Sequence, residues 1–431
     1  MIRAVLVLAV GTAMLTFTQR VGALEQPSDA NDLVRLEDYL RYASLNNANL
    51  KAKFEEWKAA LKQVPQAKTL DDPKFTYSYF IQEVETRVGP QRQKFGIMQV
   101  FPWFGEIEAR TDAAAAVAKA AGKQYEAEKL KLFWQVKDAF YEYVYLASAV
   151  EIARQNLELL KHFEEVARIR YRAAAGGHPD VIRAQVELAK LEDVLKSLEE
   201  LREPIVARLN AVLNRRSLKL LPWPRKEEFK QVKIERLEMI ARLRQMNPKL
   251  AAIDFEVIAA KSRAELAKKK FYPDIGVGVD WIETGGAVSP DVGDSGRDAV
   301  VLMFSMNLPI WRESYKAAEQ QAKSNVRKAE YNRVETENTI VAQAEQVLYN
   351  FEDSRRKIKL YANTLLPKAE ELLQTSETAY QSGAIDFLSL IDAQRMLLKF
   401  QLEYERALTN NKQKLAELEM LAGTELTVTP N

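Results

Sequence analysis

The sequence predicts a mainly α-helical chain of long, tandem-duplicated helical hairpins, with four β-strands of membrane-spanning length per chain. Three observations predict it. Two stretches, Glu106 to about Arg170 and Glu313 to about Tyr380, run far beyond ordinary helix length, the first without proline and the second interrupted by Pro367. Four short runs alternate apolar and polar residues with a period of two, as half-buried strands do. The whole pattern recurs about 200 residues further on, as in an internal repeat.

Residues 1–23 read as a secretory signal peptide. Arg3 precedes an apolar run from Ala4 to about Phe17, and "VGA" (21–23) supplies small residues before a cut. The first repeat is 24–224, beginning with a helix and carrying "NANL" (47–50). A strand pair follows at about 74–101. In 74–82, Phe75, Tyr77, Tyr79 and Ile81 share a face; in 93–101, Phe95, Ile97 and Phe101 do, with Gln99 breaking the pattern. The chain then turns through Phe101, Pro102, Trp103 and Phe104 into the long helix, whose "TDAAAAVAKAAG" (111–122) allows close helix approach. At about 1.5 Å per residue that helix is about 95 Å long.

A tip at about 171–180 ends it, with Asp180 as the expected N-cap of the returning helix. There Val181, Ala184, Leu188, Leu191, Leu195 and Leu198 alternate steps of three and four, a heptad seam. Prolines in "LKLLPWPRKEEF" (218–229) mark the join. The second repeat, 225–431, restates each part: "NPKL" (247–250), a strand pair at about 274–309, a corner at Pro309 and Trp311, and a tip at about 380–386 with Asp386 as N-cap. Its strands place Ile275, Val277, Val279 and Trp281 on one face, then Val300, Leu302, Phe304, Met306 and Leu308. The offset between the halves grows from 200 at "NANL" to 209 at the tips, which loop insertions would explain.

Strands of 9–11 residues suit a bilayer. The opposite faces carry Lys74, Thr76, Ser78, Gln82, Asp274 and Asp280, as an aqueous lumen needs, and aromatics gather at the corners. An open sheet edge has no place in lipid, so four strands must close with those of other chains. Two chains would give eight strands and three would give twelve; strand number alone does not choose. The proline corner is then where each chain leaves the membrane and turns into helix, with proline in the helix's first turn.

Composition narrows the alternatives. Lys and Arg number 62 against 60 for Asp and Glu, a net charge of +2, which gives no case for nucleic acid. Cysteine is absent, so no disulfide, thiolate metal site, cysteine nucleophile or lipidated cysteine exists. The two histidines, His162 and His178, have no metal-ligand spacing, and no phosphate loop or catalytic cluster stands out. The sequence thus points to no metal, no cofactor and no enzyme.

With two repeats, a strand pair in each, long helical hairpins, and the tips "YRAAAGGHPDVIRAQVEL" (171–188) and "YQSGAIDFLSLIDAQRMLL" (380–398), the sequence resembles the TolC-type outer-membrane efflux proteins. The resemblance spans nearly all of the mature chain. It implies a homotrimer with a twelve-stranded barrel in outer-membrane lipid and a twelve-helix periplasmic tube. It also implies a periplasmic adaptor (membrane fusion) protein at the tips and an inner-membrane pump, RND-type, beyond it. The tube's lower end would close by coiling of inner helices and open by untwisting. Asp392 matches the second of two acidic constriction positions in the family and Ser389 stands at the first, a departure that leaves a ring of Asp392, helped by Asp386. Gly176, Gly177, His178, Pro179, Asp180 and Gly383, Ala384, Ile385, Asp386 would meet the adaptor.

The expected function is the exit duct of a tripartite efflux system for small molecules or metal ions. A type I protein-secretion duct and a soluble periplasmic coiled-coil adaptor or scaffold are the alternatives.

Overall fold

The computed structural model describes residues 33–215 and 220–426. The expected signal peptide, 1–23, lies outside the described residues. Each half of the chain lays down the same order of elements: two helices, two strands, then a long hairpin. The first half comprises α1 (Leu36–Asn46), α2 (Ala48–Lys68), β1 (Lys74–Val84), β2 (Gln91–Phe101), α3 (Glu106–Arg172), α4 (His178–Glu200) and α5 (Arg202–Val212). The second comprises α6 (Arg236–Met246), α7 (Pro248–Lys269), β3 (Ile275–Thr284), β4 (Ala299–Met306), α8 (Arg312–Leu360), a π turn (Tyr361–Leu365), α9 (Leu366–Ser382) and α10 (Phe387–Ala422).

The matching "NANL" and "NPKL" motifs have one physical job. Asn47 caps α2 by accepting from the Leu50 amide, and its Nδ2 donates to the Val212 carbonyl, 2.9 Å in each case. Asn247 caps α7 through the Lys249 and Leu250 amides and donates to the Leu421 carbonyl at 2.9 Å. One asparagine thus starts a helix and ties down the end of the returning one. The hairpins pack as the seam requires: Val181, Ala184, Leu191, Leu390, Ala393 and Leu397 are all buried in one cluster. Tyr39, Phe140, Tyr143 and Leu209 fill a second core, and Met239, Phe351 and Leu418 a third.

The strands form one antiparallel sheet in the order β1-β2-β3-β4. β2 pairs with β3 along nearly its whole length, Gly96 opposite Asp280 and Phe101 opposite Ile275, so the strand pairs of the two halves join. The break in the pattern at Gln99 does not interrupt β2, because its pairing with Val277 of β3 continues the ladder there. β1 and β4 each keep one unpaired edge. Among the described residues, no helix is long and apolar enough to cross a membrane.

Pro102 and Pro309 do not sit in the first turn of a helix. They lie in the short links ahead of α3 and α8, whose N-caps are Gly105 and Trp311. Gly105 has φ +80°, so the turn into α3 belongs to the glycine, and proline only ends the ladder. Asp180 is likewise not a cap. α4 starts two residues earlier, at His178, with Pro179 fitting the amide-free first turn, and Asp180 supplies the acid near the helix N-terminus.

Candidate functional site

Two regions carry the site: the outward face of the sheet and the paired hairpin tips. On the sheet, one face is apolar and open to the surroundings. Phe75, Tyr77, Tyr79, Ile97, Val279, Trp281, Val300, Leu302 and Phe304 are all exposed, with Ile81 at 93%. Register lines their rings up, Tyr77 against Phe95 at 5.2 Å and Phe95 against Trp281 at 5.5 Å. A patch this large in an otherwise charged chain marks an apolar surrounding. The corners below it carry Phe101, Trp103, Phe104 and Trp311; Trp103 stacks on Tyr272 at 5.0 Å, and Phe104 and Trp311 stand 79% and 74% exposed.

The other face mixes polar and apolar side chains and is tightly built around Asp280. Asp280 is buried and bridged by Lys94 from the neighbouring strand. Gly96, opposite Asp280, has no side chain because a Cβ there would collide with the Asp280 carboxylate and sit 2.5 Å from the Thr76 hydroxyl. Three strands thereby meet at one charged cluster. The loops above interlock too, the Gly296 amide donating to the Val88 carbonyl at 2.8 Å.

At the other end, the tips are joined by a residue that sequence reading missed. Arg170, in the last turn of α3, crosses to the second tip and donates to the Tyr380 and Gln381 carbonyls, the latter at 2.6 Å. It also donates back to the Ala175 carbonyl at 2.8 Å, and its guanidinium lies 4.8 Å over the Tyr380 ring. The Tyr380 and Gln381 carbonyls belong to the last turn of α9, where a cation is favoured, and Ala175 lies in the turn after α3. Tyr380 is buried, packs edge-on to Phe387 at 5.3 Å and donates to Asp180 at 3.5 Å. Burial pushes its hydroxyl up to about 12, with the Asp180 charge adding to the shift.

The tip residues fall as follows. Gly176 and Gly177 close the first turn, with His178 in ring contact with Tyr171 at 5.2 Å. Gly383 has φ +82° and ends α9, followed by Ala384 and Ile385. Asp386 caps α10, accepting from the Ser389 amide at 2.9 Å and its hydroxyl at 2.6 Å, which hold its carboxyl below the usual range. Ser389 and Asp386 are therefore one capping unit. Asp392 is exposed but paired, bonded to Arg395 at 3.0 Å. Arg395 also grips Glu187 of α4 at 2.6 Å and holds that carboxyl low. A signal for Arg170 was present in the sequence, a basic residue in a helix's last turn facing a glycine tip, but its partners lie 210 residues away. Among the described residues, no group of three or more His, Asp and Glu could hold a metal ion.

Comparison with known proteins agrees with this geometry. The model of the outer membrane efflux protein family matches residues 40–215 and 239–424. A cobalt-zinc-cadmium resistance protein, CzcC of Cupriavidus metallidurans, is 22% identical over 412 residues, covering 92% of each chain. Among solved structures, the CusC transmembrane channel superposes with a TM-score of 0.75 at 14% identity, over 90% of this chain and 92% of that one. The open-state MtrE outer membrane channel of Neisseria gonorrhoeae gives 0.72 at 19% identity, over 93% of each. The apolar strand face, the long hairpins and the family match over most of the chain lead to one conclusion: the protein belongs to the outer membrane efflux protein family.

Proposed function

We propose that the chain forms a homotrimeric exit duct that passively conducts small molecules or metal ions out of the cell. The observation that carries the reading is the four-stranded sheet, with an exposed apolar face and two unpaired edges. In lipid those edges must pair, and β1 of one protomer against β4 of the next closes the ring without new structure. Three copies give twelve strands, within the even-numbered range of outer-membrane barrels. The helices then stack below as a periplasmic tube. Phe101, Pro102, Trp103, Phe104, Pro309 and Trp311 stand at the lipid boundary, where aromatic rings are favoured.

In this reading the tips Gly176–Asp180 and Gly383–Asp386 meet a periplasmic adaptor protein, and an RND-type inner-membrane pump supplies the energy. Asp392 rings the lower opening with Arg395 as its counter-charge, so the constriction carries both signs. The resistance protein among the relatives favours metal ions as cargo. Light scattering of protein extracted from the outer membrane in mild detergent tests the assembly. Three chains per particle are expected; a monomer in the soluble fraction refutes the duct.

A further inference from the structure

The two long helices of the chain differ by one insertion, and the structure locates it. The seven buried side chains of α8 are Ile340, Ala344, Val347, Leu348, Phe351, Ser354 and Ile358. Subtracting 208 places all of them on buried positions of α3, from Leu132 and Val136 to Tyr143, Leu146 and Val150. Beyond the π turn the offset is 209. Ala369, Leu373 and Ser376 of α9 then fall on buried Leu160, Glu164 and Ala167. At 208 they would fall on Lys161, Glu165 and Arg168, all exposed. The fourth buried residue of α9, Tyr380, falls on the exposed Tyr171. One residue has therefore entered the second helix between Ile358 and Ala369, with no loop to hold it.

The π turn at Tyr361–Leu365 absorbs it. Its closing bond runs from the Leu366 amide to the Tyr361 carbonyl, five residues back instead of four. A π turn carries one extra residue and leaves the faces on either side in register. Pro367 follows, and it offers no amide to the carbonyl of Asn363. Two consecutive defects thus weaken the backbone ladder of a rod that otherwise runs from Arg312 to Ser382. No residue of the π turn is buried; Tyr361 touches the Phe400 ring at 5.8 Å. Solid cores lie on both sides, Ile358 with Ala407 and Leu408 above, Ala369 and Leu373 with Leu390 and Leu397 below. α3 is unbroken at the matching level, where the buried Asn156 clasps α10 through Gln394 at 3.0 Å and Gln401 at 2.9 Å.

We propose that residues 361–367 are an elbow, built by a one-residue insertion, at which the long helix of the second hairpin flexes; α3 has no such joint. The proposal rests on the duct reading for its purpose. When two antiparallel helices bend together, their path lengths must differ. α10 is continuous from Phe387 to Ala422, so the soft ladder of 361–367 takes up the difference.

Deleting Thr364 tests it in the full-length, detergent-extracted protein, with deletion of Gln374 as the control. Losing Thr364 should heal the helix and keep the register. The variant should melt within about 5 °C of the parent, and its amides near 361–369 should exchange about tenfold more slowly as the ladder closes. Openings in planar bilayers should become about tenfold rarer. Losing Gln374 rotates the helix beyond it by about 100° and should lower the melting temperature well below both. Equal damage from the two deletions overturns the insertion. Slowed exchange with unchanged openings overturns the elbow. A parent that never conducts refutes the duct reading instead, and exchange then judges the soft joint alone.

Discussion

Replacing Arg170 with alanine should release the two tips from each other. The guanidinium makes three hydrogen bonds to carbonyls of Tyr380, Gln381 and Ala175 and covers the Tyr380 ring. At this half-exposed position each bond is worth about 1 kcal/mol net, since water replaces part of what is lost. The ring contact adds about 0.5 kcal/mol. The sum is about 3.5 kcal/mol, or about 300-fold in a local opening equilibrium. The tips are far from the cores around Phe140 and Phe351, so global melting should barely change. Amide exchange is the matching assay: residues 171–180 and 380–388 should exchange about 300-fold faster, and α3 above Leu160 should not change. Arg170→Lys should fall between, because one ammonium cannot span three carbonyls. Tip exchange within about threefold of the parent would refute the argument that Arg170 joins the hairpins.

Three further outcomes follow from the same geometry. Gly383→Ala should cost about 1 kcal/mol in tip stability, because φ is +82° there and the new Cβ would press on the Arg170 guanidinium at 3.3 Å; tip exchange measures it. Gly96→Val should block assembly, since any side chain collides with Asp280 and Thr76, and the yield of detergent-stable oligomer reads it out. The tips should also loosen in acid. Glu187 and Asp386 are held below their ordinary values by Arg395 and Ser389, so their stabilisation is complete above about pH 4.5 and fades as pH falls through the lowered values. Tip exchange should therefore be steady, after correction for intrinsic rates, from pH 7 to about 4.5 and accelerate below. Arg395→Met should remove most of the Glu187 part of that response.

What the sequence by itself determined was whatever depends on near neighbours. The strand faces were legible because a period of two sets the side of every residue, and Phe75, Tyr77, Val300 and Phe304 are indeed outward. The heptad seam after the first tip was legible for the same reason, and Asp386 as a cap depends only on the amide three residues on. Asp180 misled because Pro179 already suits a helix's first turn, so the helix began before the acid. Gln99 broke the apolar alternation of its strand, but the pairing with Val277 of β3 outweighs one polar side chain.

Tertiary structure decided whatever needs partners about 200 residues apart. Arg170 is one basic residue among many until the fold brings Tyr380 beneath it. Arg395 reads as a local partner of Asp392, three residues away, until the fold brings Glu187 of α4 to share it. The growing offset between the halves showed that residues had been inserted, and loops were the natural place to expect them. Only the burial pattern of α3, α8 and α9 shows that one lies inside a helix. Sequence spacing counts residues but not hydrogen bonds, and an i→i+5 bond hides an extra residue without disturbing either flank.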